Sequence, residues 1–136
     1  MSKARIEHVN VTVSDPDRAA RLMQDVFGWQ VRWQGPARAG GRTVHVGTDD
    51  QYLAFYAGRD GPGSPDGFAK GRPLNHVAML VDDLDETEAK VIAAGLTPFE
   101  HGDYEPGRRF YFYDPDGIEF EVVSYQPADN RERQLA

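Results

Sequence analysis

The sequence predicts an α+β fold made of two related halves, each with the element order β-α-β-β-β. Three observations lead to this prediction. A histidine-led alternation of apolar residues occurs at 8–15 and recurs 68 positions later at 76–83, so that the repeat period is half of the 136-residue chain. Each copy is followed by a run with helical spacing that ends at a glycine. Three short strand-like runs separated by turn residues then complete each half.

The first half begins with a strand whose side chains alternate between two faces. Its valines point to one face and its polar residues to the other: Val9, Val11 and Val13 against His8, Asn10 and Thr12. Ser14-Asp15-Pro16 then supplies an N-cap, with proline near the first helical position. An apolar helical stripe runs up to the stop at Gly28: Ala19, Leu22, Met23, Val26 and Phe27.

The second half repeats this order. Asp83 or Asp85 caps a helix that ends at Gly95, and capping explains the local cluster of acidic residues. The predicted inward stripe is Leu84, Thr87, Val91 and Ile92. The other strands are predicted at 29–34, 42–48, 51–57, 97–101, 108–113 and 118–125, with tight hairpins at 49–50 and 114–117.

The halves are expected to pair into one domain, because neither is large enough to bury its helix and sheet well alone. The predicted boundaries are a first module at about 5–58, a Gly- and Pro-rich linker at 59–73, a second module at 74–125 and a polar tail at 126–136.

Composition excludes several classes of function. The formal charge is −7 and the basic residues are scattered, so nucleic acid is not an expected partner. No stretch approaches the ~20 apolar residues of a membrane span. The chain has no cysteine. His, Asp and Glu therefore remain as the strong metal ligands, and the composition suits a reducing cytoplasm.

Histidines at equivalent positions of the two halves suggest a metal site. If the modules pack about a pseudo-twofold axis, His8 and His76 approach each other. Separately, a carboxylate that points inward from the otherwise apolar last strand needs a partner. Two imidazoles and one carboxylate leave about three positions of an octahedral ion open to substrate or water. The residues alone leave open whether Glu119 or Glu121 supplies the carboxylate. The position that matches Glu121 in the first half is Leu53 or Ala54, so three protein ligands are expected.

The ordered motifs from about residue 5 to 125 resemble the vicinal oxygen chelate superfamily, which includes glyoxalase I, extradiol dioxygenases, fosfomycin-resistance transferases and bleomycin-resistance proteins. The resemblance rests on the strand that starts at His8, Val-Phe-Gly-Trp at 26–29, Asn-His-Val-Ala at 75–78, and Tyr-Asp-Pro-Asp-Gly at 113–117 before Ile-Glu-Phe-Glu. It implies paired βαβββ modules that form a curved mixed sheet around a central cleft. It also selects Glu121, beside His8 and His76, as the ligand set.

The resemblance further implies a divalent-metal-dependent enzyme that acts on a small molecule, with one Mn, Fe, Ni or Zn ion per site chelating two vicinal oxygens of the substrate. Lyase, isomerase, transferase and dioxygenase chemistry all remain open. Glyoxalase I carries a further glutamate where this chain has Ala54. Glu121 and Tyr111 are the candidate catalytic residues, and a homodimer is expected. The candidate substrate-binding residues are Asn10, Tyr52, Tyr56, Tyr111 and Arg109.

Simpler interpretations stand beside these. The two histidines would be polar residues on the wetter sheet face, and the tyrosines at 52, 56, 111 and 113 ordinary strand aromatics. His45 and His101 are interpreted as surface residues, and Arg108 and Arg109 as a solvated turn. At the level of the whole protein, the alternatives are a metal-free drug-binding protein of the bleomycin-resistance type and a regulatory domain with a silent metal site.

Overall fold

The computed structural model divides the chain into two compact units, Met1–Gly67 and Phe68–Ala136. The residues that it describes are 3–37, 40–59, 70–71, 73–104 and 107–125. Most of the predicted linker and the whole of the predicted tail at 126–136 lie outside these residues.

Among the described residues, each unit has one helix and four strands in the predicted order, βαβββ. The elements of the first unit are β1 His8–Thr12, α1 Pro16–Phe27, β2 Gln30–Pro36, β3 Arg42–Gly47 and β4 Tyr52–Ala57. Those of the second unit are β5 Val77–Leu80, α2 Leu84–Ala93, β6 Phe99–Tyr104, β7 Gly107–Tyr113 and β8 Glu119–Ser124.

The two sheets have the same topology. The strand orders are β1-β4-β3-β2 and β5-β8-β7-β6. In each sheet the first strand pairs in parallel with the last, and the other pairings are antiparallel. Parallel pairing needs a long connection, which the helix and two further strands supply. The predicted α+β class and the repeated βαβββ module are therefore confirmed.

The helix ends follow the predicted capping residues. The Asp15 side chain accepts the Arg18 backbone N–H, and Gly28 closes α1 with a φ of 70° that favours glycine. Asp83, rather than Asp85, caps α2. The prediction for Ile92 is wrong, because its side chain is 57% exposed.

Within the described ranges, no helix is long and apolar enough to cross a membrane.

The helix packs on one face of each sheet, and the opposite face carries the polar side chains. Apolar residues on the helix-facing side are almost fully buried: Val44, Val46 and Phe55 in the first unit, and Phe110, Phe112, Phe120 and Val122 in the second. Each such side chain contributes about 1.5–3 kcal/mol through burial. The histidines therefore lie on the sheet face opposite the helix.

The turn between β7 and β8 depends on the side chain of Asp114. Its buried Oδ1 accepts the backbone N–H groups of Asp116 and Ile118, each at 2.9 Å. Asp114→Ala should lower the free energy of unfolding by about 1–3 kcal/mol, because two backbone donors lose their acceptor. Asp114→Asn keeps an acceptor oxygen and should lose less, as measured by urea unfolding. Equal losses in the two variants would contradict this role.

Candidate functional site

His76 and Glu121 lie together on the polar face of the second unit. His76 directly precedes β5, and Glu121 lies in β8, the strand with which β5 pairs. The His76 Nε2 atom is 3.5 Å from Glu121 Oε1. The His76 side chain is 32% exposed, whereas that of Glu121 is 9% exposed. A nearly buried carboxylate therefore faces an imidazole that still reaches solvent.

The hydrogen bond at the other ring nitrogen indicates which nitrogen of His76 carries the proton. Nδ1 lies 2.8 Å from Asn75 Oδ1. An amide oxygen only accepts, so Nδ1–H donates. In the neutral ring, Nε2 then holds the lone pair, and it is Nε2 that faces Glu121.

The spacing of these donors fits a shared divalent ion. Donors about 2.1 Å from one ion are about 3.0–3.4 Å apart at octahedral to tetrahedral angles. The observed Nε2–Oε1 separation of 3.5 Å is close to this range and too long for a good hydrogen bond. A neutral imidazole and a carboxylate are also the donor types that Mn, Fe, Ni and Zn accept. His76 and Glu121 are therefore suitable to hold such an ion.

Glu119 lies two residues before Glu121 and is also buried, at 3% exposure. Neither glutamate is therefore an ordinary exposed sheet residue, since Glu121 is 7% exposed. Lys70 Nζ donates to Glu119 Oε1 at 2.7 Å, which raises the pKa of Lys70. Glu119 Oε2 is 3.5 Å from His76, but from Nδ1, the nitrogen bonded to Asn75. The two carboxylates thus face different nitrogens of the His76 ring. Their cationic partners also differ, since Glu119 contacts Lys70 and Glu121 contacts Arg109.

Arg109 lies inside β7, so its interpretation as part of a solvated turn is wrong, as is that of Arg108. The Arg109 side chain is only 10% exposed, and its Nη1 is 3.4 Å from Glu121 Oε2. Its guanidinium therefore places a fixed positive charge beside Glu121 on the polar face.

Tyr111 occupies the same face, directly across from Glu121 in the β7–β8 register. Its ring meets the His76 ring edge-on, with centroids 5.9 Å apart and an interplanar angle of 81°. The ring of Phe99 stacks on its other side at 5.9 Å. Tyr111 is thus held beside the imidazole by aromatic contacts.

His8 begins β1 in the first unit, and its ring is held in much the same way as that of His76. Nδ1 lies 2.8 Å from Glu7 Oε1, and the Tyr52 hydroxyl donates to that same oxygen at 3.3 Å. The hydrogen bond from His8 lowers the pKa of Glu7, against a smaller opposing effect of desolvation. The Tyr52 ring stacks on His8 at 4.9 Å and 14°.

An aromatic row extends from His8 across the sheet through Tyr52 and His45 to Trp33. His45 stacks on Tyr52 at 4.6 Å, and Trp33 lies 5.2 Å from His45. The Arg32 guanidinium carbon lies 4.4 Å from the Tyr52 ring centroid. Burial, with the nearby His8 as a smaller cause, lowers the pKa of His45 and favours a neutral ring.

His45 is the residue of this row that sequence reasoning missed, since it was interpreted as a surface histidine. It is half-buried on the His8 face. The signal was available in β3, where Thr43, His45 and Gly47 alternate with the buried Val44 and Val46. His101 is 55% exposed and hydrogen-bonded to Glu88, which agrees with a surface position.

The remaining predicted substrate-binding residues lie on the His8 face according to the strand register. Asn10 pairs with Ala54, and Thr12 pairs with Tyr56. Ala78 pairs with Glu121 in the equivalent position of the second sheet. The register thus identifies Ala54, rather than Leu53, as the counterpart of Glu121.

Of the predicted ligands, the structure brings together His76 and Glu121, while His8 belongs to the other unit. Within either unit, among the residues that the structure describes, no three His, Asp or Glu side chains are close enough together to hold a metal ion. The complete set of three ligands therefore stays a prediction.

Residues 5–122 match the family model for the glyoxalase/bleomycin resistance protein/dioxygenase superfamily. The chain belongs to this superfamily. No functionally curated protein matches it in sequence. The superfamily assignment covers both βαβββ units and agrees with the resemblance identified from the motifs.

Solved structures share the superfamily fold at low sequence identity. A glyoxalase/bleomycin resistance protein/dioxygenase domain from Frankia sp. EAN1pec is 20% identical, with a TM-score of 0.75 and 98% coverage of both chains. The antibiotic binding protein TnmS3 from Streptomyces sp. CB03234 is 21% identical, with a TM-score of 0.71 over 91% of this chain and 98% of its own. The fosfomycin resistance protein FosX from Listeria monocytogenes, complexed with Mn(II) and sulfate, is 19% identical, with a TM-score of 0.69 over 98% of this chain and 99% of its own. At these identities the likeness establishes the fold.

Proposed function

We propose that this superfamily member is a small-molecule enzyme that uses one divalent metal ion per site, held by His8, His76 and Glu121. The observation that best supports the proposal is the arrangement at His76, whose Nε2 faces the buried Glu121 carboxylate at 3.5 Å while Nδ1 is bonded to Asn75. His8 has a similar Nδ1 hydrogen bond in the first unit. The Mn(II) complex of FosX provides a precedent for metal use on this fold.

A bound divalent ion would supply Lewis acidity toward two vicinal oxygens of the substrate. The chain's own residues would bind and orient the substrate around those oxygens. Arg109 offers a nearly buried positive charge for an anionic group, and Tyr111 offers a phenol beside His76. Tyr52 adds an aromatic surface beside His8, while Asn10 and Tyr56 occupy the same face of that sheet.

Isomerase, lyase, transferase and dioxygenase reactions are all compatible with this donor set, and the metal that binds would narrow the choice. A dioxygenase would need iron or manganese, because zinc has no redox chemistry. We also propose a homodimer, from the resemblance, and a cytoplasmic location, which the cysteine-free composition suits.

The test is a titration of chelator-treated protein with Mn²⁺, Ni²⁺ and Zn²⁺, and with Fe²⁺ under anaerobic conditions, followed by calorimetry and elemental analysis. We expect saturable binding of about one ion per chain, from a site with three protein ligands. His101→Ala is the matched control, since it removes an exposed histidine outside the candidate site and should bind the ion equally well. Binding no tighter than that of a His8→Ala, His76→Ala double variant would contradict the proposal.

A metal-free binding protein is the second candidate, and two observations favour it. The Arg109 guanidinium already provides Glu121 with a cationic partner at 3.4 Å, and the aromatic row offers a surface for flat apolar ligands. TnmS3, described as an antibiotic binding protein, has the same fold. If this candidate is correct, chelator-treated protein should bind aromatic drugs with quenching of tryptophan fluorescence, and His76→Ala should leave that binding unchanged.

A further inference from the structure

The residue before each candidate ligand histidine makes the same contact in both units. Glu7 Oε1 lies 2.8 Å from His8 Nδ1, and Asn75 Oδ1 lies 2.8 Å from His76 Nδ1. These positions are equivalent in the repeat. The two side chains differ in charge and length, and they share an oxygen that accepts a hydrogen bond.

Regular strand geometry does not produce this contact. Consecutive side chains in a strand point to opposite faces, so neighbours seldom meet. Glu7 directly precedes β1 and Asn75 lies two residues before β5, so neither residue is inside a regular strand. Glu7 is further held by the hydroxyl of Tyr52, which donates to the same oxygen.

The consequence is a choice of imidazole tautomer. A solvated neutral histidine favours the proton on Nε2, which would leave that nitrogen unable to bind a metal. An acceptor beside Nδ1 reverses this preference and leaves the lone pair on Nε2. Histidine ligands of metals are commonly oriented by a hydrogen bond from the second ring nitrogen to an oxygen.

We infer that Glu7 and Asn75 are positioning residues, which keep His8 and His76 in the Nδ1–H tautomer with Nε2 free to donate its lone pair. The purpose of this arrangement rests on the proposed metal-dependent function, but the tautomers themselves are a property of the metal-free chain. They are therefore measurable whether or not an ion binds.

The test is long-range ¹H–¹⁵N correlation NMR of the four histidine rings in ¹⁵N-labelled, chelator-treated protein at a pH well above the ordinary pKa of imidazole. His8 and His76 should show a protonated Nδ1 and an unprotonated Nε2. His101 is an internal control of the opposite kind, because its Nε2 contacts Glu88 Oε2 at 2.7 Å and should be protonated.

Four variants separate a positioning role from a merely structural one. Glu7→Ala and Asn75→Ala should each shift only the following histidine toward the Nε2–H form. In Asn75→Ala the nearest remaining acceptor for His76 Nδ1 is Glu119 Oε2, which at 3.5 Å is too far for a good hydrogen bond. Glu7→Gln and Asn75→Asp keep an acceptor oxygen and should preserve the tautomer. Divalent-metal affinity should fall by roughly 10-fold in each alanine variant and be largely restored in the conservative variants. An Nε2–H form of His8 or His76 in the wild type, or alanine variants with unchanged tautomers, would overturn the inference.

The outcomes also distinguish this inference from the proposed function. If the histidine tautomers change as expected in the variants but the protein does not bind a metal ion, the inference is supported and the metal-dependent function is contradicted. Tight metal binding with tautomers unaffected by both alanine variants would do the reverse.

Discussion

Replacing Glu121 with glutamine should lower the affinity of the protein for its divalent ion by at least about 100-fold, beyond the 10–100-fold typical of changes at residues that only support a ligand. The substitution keeps the shape of the side chain and removes the negative charge. In the wild type, Glu121 Oε1 is the carboxylate oxygen that faces His76 Nε2, the nitrogen with the lone pair, at 3.5 Å. Calorimetric titration with Mn²⁺ and Zn²⁺ measures the loss, and circular dichroism verifies that the variant is folded.

Glu119→Gln is the matched control for this experiment. Glu119 lies on the same strand and is as deeply buried, but it is bonded to Lys70 and faces the Nδ1 side of His76. We therefore expect a loss of metal affinity well below that of Glu121→Gln. If Glu119→Gln abolishes binding and Glu121→Gln does not, the two carboxylates have the opposite roles.

Phe112→Ala should lower the free energy of unfolding by about 3–5 kcal/mol, the usual cost of truncating a buried phenylalanine. The Phe112 side chain is fully buried, and its ring stacks on Phe120 of the adjacent strand at 5.4 Å. The substitution removes both this contact and the volume between the second sheet and its helix. Urea unfolding followed by circular dichroism measures the change.

Tyr113→Ala provides the comparison, since it truncates the next residue of the same strand on the opposite face. Its side chain is 47% exposed and stacks on Phe99 at 4.8 Å. A loss of about 1 kcal/mol is expected from the aromatic contact. A loss as large as that of Phe112→Ala would show that the two faces of the sheet contribute alike, contrary to the burial pattern.

The features of the fold that the sequence predicted well depend on local signals. Asp15, Gly28 and the 114–117 turn act through hydrogen bonds or backbone angles within a few residues, so each is visible in a short stretch of sequence. The wrong prediction that Ile92 faces inward is explained by helix geometry. With 3.6 residues per turn, Ile92 lies about 100° around the helix from Val91, which puts it outside the buried stripe of Leu84, Thr87 and Val91.

The candidate site was less predictable, because its contacts join residues that are far apart in sequence. The His76–Glu121 pair was expected from the resemblance. The Lys70–Glu119 ion pair and the row from His8 to Trp33 were not, since each joins residues from separate parts of the chain. Arg109 was misjudged as part of a turn because adjacent arginines are usually solvated, whereas its contact with Glu121 joins two different strands.

The strand order of the sheets also has a consequence for folding. In each unit the candidate ligand histidine begins or directly precedes an edge strand of the sheet: His8 begins β1, and His76 precedes β5. That edge strand pairs with the last strand of its own module. Such a parallel, long-range pairing closes a large loop, and its entropic cost makes it slow relative to the hairpins between later strands. Both histidines should therefore take their final positions only once the rest of their module has formed. A nascent or truncated chain without β4 or β8 would still contain the histidine. The strand that begins at or just after this histidine would then have no partner strand to fix its position.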